Sequence, residues 1–106
     1  MEVRKVVFAL ASLALSGSAL GFTGNEVRNW YVNNPTKGGN LPINYLGYVA
    51  GVVDTMQDIA FCAPKTATYV QLGSVARKYI EANPEQWDKN GSGLIMVALS
   101  EAYPCK

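Results

Sequence analysis

Residues 92–105, SGLIMVALSEAYPC, decide the fold. Wound as an α-helix, Leu94, Ile95, Val97, Ala98, Leu99 and Ala102 leave the segment apolar nearly all round, and a helix of that kind belongs at the centre of a bundle. Ser92 is expected as its N-cap, with the helix running over residues 93–103 until Pro104 stops it. Cys105 stands just beyond the stop, placed to reach Cys62, the one other cysteine of the chain. The expected fold is all-α: a small helical bundle of four main helices tied by one disulfide.

The three other helices read outward from there. Thr23-Gly24-Asn25-Glu26 is a capping-box pattern, and Val27, Trp30 and Tyr31 follow at helical spacing until Asn33-Asn34-Pro35 ends the segment. Residues 36–40 (TKGGN) form a turn-rich loop. Pro42 suits a first helical position, and a long helix is expected from there to about Ala60. Its apolar stripe is Tyr45, Val49, Val52, Val53, Met56 and Ala60. Asn44, Gly47, Gly51, Asp54 and Asp58 fall within about 80° on the opposite face at 100° per residue. Cys62-Ala63-Pro64 breaks the chain. Thr68-Tyr69-Val70-Gln71 is a second capping box, opening a helix to about Ala82 that buries Leu72, Val75, Ala76, Tyr79 and Ile80. Asn83-Pro84-Glu85-Gln86 caps one short turn before the loop 88–91 (DKNG). No period-2 run survives long enough to argue for a strand.

The N-terminus has the layout of a secretory signal: Arg4 and Lys5, an apolar stretch over residues 6–15, then Ala19-Leu20-Gly21 as an A-x-G cleavage site. A membrane anchor is the weaker reading, because the apolar run is interrupted by Ser12, Ser16, Gly17 and Ser18 and falls short of the roughly 20 residues a span needs. Residues 1–21 are therefore expected to be a cleaved signal peptide and residues 22–106 the mature domain. That domain would be free in the periplasm of a diderm bacterium, or extracellular otherwise. Cleavage takes the formal charge from +1 to zero. A neutral chain offers no footprint for nucleic acid or for a membrane surface. In a short exported chain the two cysteines fit a structural bridge, whose loop of about 44 residues contributes roughly 4 kcal/mol in the chain-entropy account.

The chain has no histidine. That removes Ser-His-Asp and Cys-His catalysis, HExxH metalloprotease chemistry and every His-ligated metal site. Asp54 and Asp58, one helical turn apart, could form a carboxylate pair for a proton or a cation, or simply a solvated face. No third ligand and no nucleophile is legible beside them, so neither catalysis nor a metal or other cofactor is expected. Gly47 and Gly51 each cost a helix interior roughly 1 kcal/mol relative to alanine, which asks for a packing reason. A helix crossing that face, from within the fold or from a second copy in a homodimer, supplies one. Trp87 lies in the loop-rich stretch 83–93 (NPEQWDKNGSG), either as an exposed interface anchor or folded back onto the bundle.

Two stretches are more specific. One is Tyr45-Leu46-Gly47-Tyr48-Val49-Ala50-Gly51-Val52-Val53-Asp54 with Phe61-Cys62-Ala63-Pro64. The other is Val70-Gln71-Leu72, Val75-Ala76-Arg77-Lys78-Tyr79, Pro84 and the terminal Ala98-Leu99-Ser100-Glu101-Ala102-Tyr103-Pro104-Cys105. Together they resemble the Rap/Tai family of small periplasmic immunity proteins, whose members neutralise amidase toxins of the type VI secretion system. Such proteins commonly carry a second disulfide from the first helix to the start of the second. Tyr31 and Tyr45 stand at the matching positions here, so both cysteines are absent together and no orphan thiol is left. The resemblance implies stoichiometric inhibition of a cognate peptidoglycan amidase by occupation of its cleft, in a bundle that often acts as a dimer. No motif marks the residues that enter the cleft. The polar, protruding loop of Glu85, Gln86, Trp87, Asp88, Lys89 and Asn90 is the expected contact. A periplasmic stress chaperone, or an accessory subunit of an envelope complex, is the competing reading.

Overall fold

The chain ends its helices where local hydrogen bonds compete best, and the computed structural model, which describes residues 21–33 and 40–106, shows four of them. Helix α1 is Gly24–Val32, α2 Ile43–Met56, α3 Tyr69–Ala82 and α4 Gly91–Ala102, with a 3-10 turn at Pro84–Gln86. Both expected capping boxes form. The Glu26 amide donates to Thr23 Oγ1 at 3.3 Å while the Thr23 amide donates to the Glu26 carboxylate at 3.2 Å. Thr68 and Gln71 repeat the exchange at 3.1 and 2.8 Å. The expected signal peptide lies outside the described residues apart from Gly21, as does the expected loop 36–40 apart from Asn40.

Helix α4 packs against each of the other three, and Ile95 and Leu99 on it are fully buried. Around them close Val27 from α1, Tyr45 and Val49 from α2, Ala76 and Ile80 from α3, and Phe61 from the connection between α2 and α3. Burial of each large side chain contributes about 1.5–3 kcal/mol, so this cluster is the main stabilising term. Cys62 and Cys105 are joined, with Cα atoms 4.9 Å apart. The Cys62 amide donates to the Tyr103 carbonyl at 2.8 Å beside the bridge. Among the described residues no strand forms, only isolated bridges such as Thr23 to Asn90.

Three boundaries differ from the sequence expectation. Helix α2 stops at Met56 instead of Ala60, because Gln57 turns extended (φ −56°, ψ 135°) and Asp58 adopts φ 67°. The turn delivers Phe61 into the core, a burial that outweighs one more helical turn. Pro42 is the N-cap of α2, not its first helical residue. Helix α4 begins at Gly91 under an Asn90 cap instead of Ser92. Asn90 Oδ1 accepts both the Gly93 amide at 3.2 Å and the Ser92 hydroxyl at 2.5 Å, so the expected cap residue is itself a donor to the true one.

The glycines also change roles. A Cβ at Gly47 or Gly51 would meet nothing within 4 Å, so no element among the described residues crosses that face. The close approach is elsewhere. The Gly24 and Asn25 amides donate to the Lys89 and Trp87 carbonyls, both at 2.8 Å, and the Gly91 amide donates to the Phe22 carbonyl at 2.7 Å. These bonds satisfy amides that a helix start leaves without partners. They require two helix N-termini to touch backbone to backbone. A Cβ at Gly24 would fall 2.5 Å from Leu94 Cδ1 and 3.0 Å from the Trp87 carbonyl; one at Gly91 would fall 2.6 Å from Val27 Cγ2.

Tyr31 and Tyr45 pack edge to face with ring centroids 5.1 Å apart, joining α1 to α2. Phe22 and Trp30 (4.9 Å), with Trp30 and Tyr48 (5.3 Å), make a second aromatic contact between the same parts. Such pairs contribute about 0.5–1.5 kcal/mol each beyond their burial. The Tyr45 hydroxyl donates to the Gly73 carbonyl at 2.7 Å, extending the tie to α3. Burial pushes the Tyr45 phenol above its ordinary range, and burial followed by the Glu81 carboxylate does the same to Tyr31.

Two predictions follow from this packing. Gly24→Ala and Gly91→Ala should each lower unfolding free energy by about 1–3 kcal/mol through overpacking, whereas Gly47→Ala and Gly51→Ala should each raise it by about 0.5–1 kcal/mol in urea titrations of dilute protein. For both tyrosines the folded state holds the proton more tightly than the unfolded chain. Their contribution is intact below pH about 10 and is lost as pH climbs from there toward the folded values. Melting curves should therefore fall steeply above pH 10. Tyr45→Phe should cost about 1 kcal/mol at neutral pH, through the lost hydrogen bond, and make the alkaline fall shallower.

Candidate partner-binding surface

Helix α3 ends on Asn83, whose Nδ2 donates back to the Tyr79 carbonyl at 2.8 Å. Pro84 then starts the 3-10 turn that carries Trp87. The indole Nε1 donates to the Ile80 carbonyl at 2.6 Å, a second donor on an acceptor that also takes the Asn83 amide at 3.2 Å. The Arg28 guanidinium lies 4.0 Å above the ring centroid. Arg28 Nε is also 3.1 Å from the Glu81 carboxylate, and both side chains are about one-third exposed. That ion pair is of the surface kind and contributes little by itself. Its role is to hold the cation over the indole.

Of the two places open to Trp87, the fold takes the second: the ring is half-buried and folded back onto the bundle. The other residues of the expected contact divide. Asn90 is committed to capping α4, and the main chain of Trp87 and Lys89 is committed to α1. Gln86 is half-buried, and its carbonyl accepts the Lys89 amide at 2.9 Å. The side chains of Glu85, Asp88 and Lys89 remain exposed. The loop is thus a rigid polar surface with its aromatic turned inward.

The carboxylates read as a pair are separated by the early end of α2. Asp54 is still helical and accepts the Tyr69 hydroxyl at 2.5 Å, a bond that pushes the exposed Tyr69 phenol upward. Asp58 lies beyond the helix and accepts from Gln57 Nε2 at 3.2 Å. A groove of about 220 Å³ lies between these segments, lined by Val53 and Gln57 on one side and Tyr69 and Leu72 on the other. A second, of about 550 Å³, runs along α3 past Val70 and Val75 to Tyr103. Among the described residues no three His, Cys, Asp or Glu side chains are grouped to hold a metal ion, and no helix is long and apolar enough to cross a membrane.

Sequence reading missed the Arg28–Trp87 stack, which joins residues far apart in the chain, and the exposed Ile59, which it placed inside a helix. A signal for the close helix starts was present. Glycine is a poor helix former, so Gly24 directly after a strong cap and Gly91 after Asn90 both ask for a steric reason.

Trp87→Ala should lower the melting temperature markedly, by the equivalent of about 3 kcal/mol, since it empties a packed site and removes the indole hydrogen bond to the Ile80 carbonyl. Joint replacement of Glu85, Asp88 and Lys89 by alanine should leave melting nearly unchanged, within about 0.5 kcal/mol. Thermal denaturation of the two variants checks the division.

The family model for Rap1a immunity proteins matches residues 24–105, from the first residue of α1 to the second bridged cysteine. No curated protein matches the chain.

Proposed function

The chain belongs to the family of Rap1a immunity proteins, and from that premise we propose that it protects its own cell by binding a peptidoglycan amidase toxin delivered by type VI secretion. The observation that carries this reading is the family match, which spans all four helices and both cysteines. An immunity protein works by contact, not chemistry, and a histidine-free chain is suited to that task. Export through the signal at residues 1–21, with cleavage after Gly21, would bring the domain to the periplasm, where such a toxin meets the cell wall.

Inhibition in this proposal is steric. The bundle covers the mouth of the toxin's cleft and keeps the cell-wall peptide out. A stable interface takes about 800 Å² from each partner, which a domain of this size can offer. The exposed side chains of Glu85, Asp88 and Lys89 provide polar contacts at its rim, and Trp87 serves them from behind by fixing the loop. A homodimer has the open Gly47 and Gly51 side of α2 available for it.

The test is direct. The mature chain, mixed with a purified type VI amidase effector of its own cell, should form a one-to-one complex and abolish release of peptidoglycan peptides at equimolar ratio. Undiminished hydrolysis with the chain in excess would refute the proposal. Broad binding to unfolded proteins in place of the amidase would favour a chaperone.

A further inference from the structure

We propose that Asn90 is a self-modifying site: its side-chain amide cyclises with the Gly91 main-chain nitrogen and hydrolyses to aspartate or isoaspartate, and the backbone contact between the starts of α1 and α4 holds that reaction off in the folded chain.

Of the asparagines in the chain only Asn90 precedes a glycine. Without a Cβ, Gly91 neither shields its own nitrogen nor restricts the rotation that brings that nitrogen to the Asn90 side chain. The reaction needs only water and hydroxide. Hydroxide takes the Gly91 amide proton, the nitrogen bonds to Asn90 Cγ, and Nδ2 takes a proton from water and leaves as ammonia. The product is a cyclic succinimide. Water then opens the ring at either carbonyl. Cleavage of the bond to Cγ gives aspartate with the main chain unchanged. Cleavage at the main-chain carbonyl gives isoaspartate, in which the backbone runs through the former side chain and is one carbon longer.

In the fold the reacting groups are already engaged. The Gly91 amide donates to the Phe22 carbonyl at 2.7 Å, so loss of its proton would set a negative nitrogen against a carbonyl oxygen. Asn90 Oδ1 accepts the Gly93 amide at 3.2 Å and the Ser92 hydroxyl at 2.5 Å, and ring closure pulls the side chain away from both. The Asn90 backbone (φ −59°, ψ 128°) pairs with Thr23 in an isolated bridge. Gly91 is buried against Val27 and the carbonyls of Phe22 and Thr23, which hold its peptide unit in place. Cyclisation therefore waits on opening of the contact, and its rate follows the population of the opened state.

The two products have different fates. Aspartate caps a helix about as well as asparagine, and its charge at the start of α4 is favoured by the helix dipole. That chain closes again, with one more negative charge in the 85–90 loop. Isoaspartate carries its carboxylate on a shorter arm and its backbone is longer, so the cap on the Gly93 amide and the Gly91 bond to Phe22 cannot both be remade. A chain that stays open too long thus loses the start of its central helix for good.

Ageing the purified chain, its bridge intact, in mildly alkaline buffer with and without unfolding guanidinium chloride tests the proposal. Peptide mapping by mass spectrometry separates the asparagine, aspartate and isoaspartate forms. Unfolded, Asn90 should convert ahead of every other asparagine and give both products. Folded, it should convert at least about 100-fold more slowly. Gly24→Ala, whose Cβ falls on Leu94 and the Trp87 carbonyl, should speed conversion of the folded chain about tenfold or more. Asn90→Asp should melt like the unsubstituted chain, and the isolated isoaspartate form well below it. Equal rates with and without denaturant, or another asparagine converting ahead of Asn90 in the unfolded chain, would overturn the proposal.

Discussion

The backbone contact between the start of α1 and the approach to α4 is the constraint on which the rest depends. Three main-chain hydrogen bonds cross it, and they form only because Gly24 and Gly91 bring no side chain between the two helix ends. Once the Trp87 and Lys89 carbonyls point at α1, the Trp87 ring is directed toward the Ile80 carbonyl and beneath Arg28. Once Gly91 is held against Phe22, α4 enters the bundle along its axis with Ile95 and Leu99 surrounded. The far end of α4 is held by different means, a covalent bridge and one main-chain bond from Cys62 to Tyr103. A central helix pinned at both ends cannot slide, so the loops at either end keep fixed shapes.

Aromatic packing takes the place of covalent chemistry elsewhere. Tyr31 and Tyr45 occupy the positions where the family resemblance implies a second disulfide, and their rings meet at 5.1 Å. A disulfide would join two points. The tyrosine pair joins α1 to α2 and, through the Tyr45 hydroxyl on Gly73, α2 to α3 as well. Gly73 permits that approach: a Cβ there would sit 3.1 Å from Leu41 Cδ1 and 3.4 Å from Tyr45 Cε2. The arrangement connects more of the fold, at the cost of sensitivity to alkaline pH.

Local signals in the chain were enough for the helix count, both capping boxes, the central place of α4 and the cysteine pairing. Each depends on residues within one or two turns, or on there being a single way to pair two thiols. What the local pattern left open or misplaced was decided by distant partners. Gly47 and Gly51 have a suggestive spacing, but spacing says nothing about whether a neighbour arrives, and none does among the described residues. Trp87 sits among Glu85, Asp88 and Lys89, a setting that suggests exposure, yet a cation from α1 and a carbonyl from α3 claim its ring. Ile59 fell inside a helical pattern carried on to Ala60. Burial of Phe61 ended that helix early and lifted Ile59 out to solvent.

The bridge beneath the 57–60 turn links the shape of that turn to where the chain resides. In a reducing cytoplasm both sulfurs remain thiols, and the base of the turn is held to the end of α4 by the Cys62 to Tyr103 hydrogen bond without covalent support. In an oxidising compartment the disulfide adds a covalent clamp to that contact. The end of α4 and the chain entering α3 are thus tied more firmly where thiols oxidise than where they stay reduced.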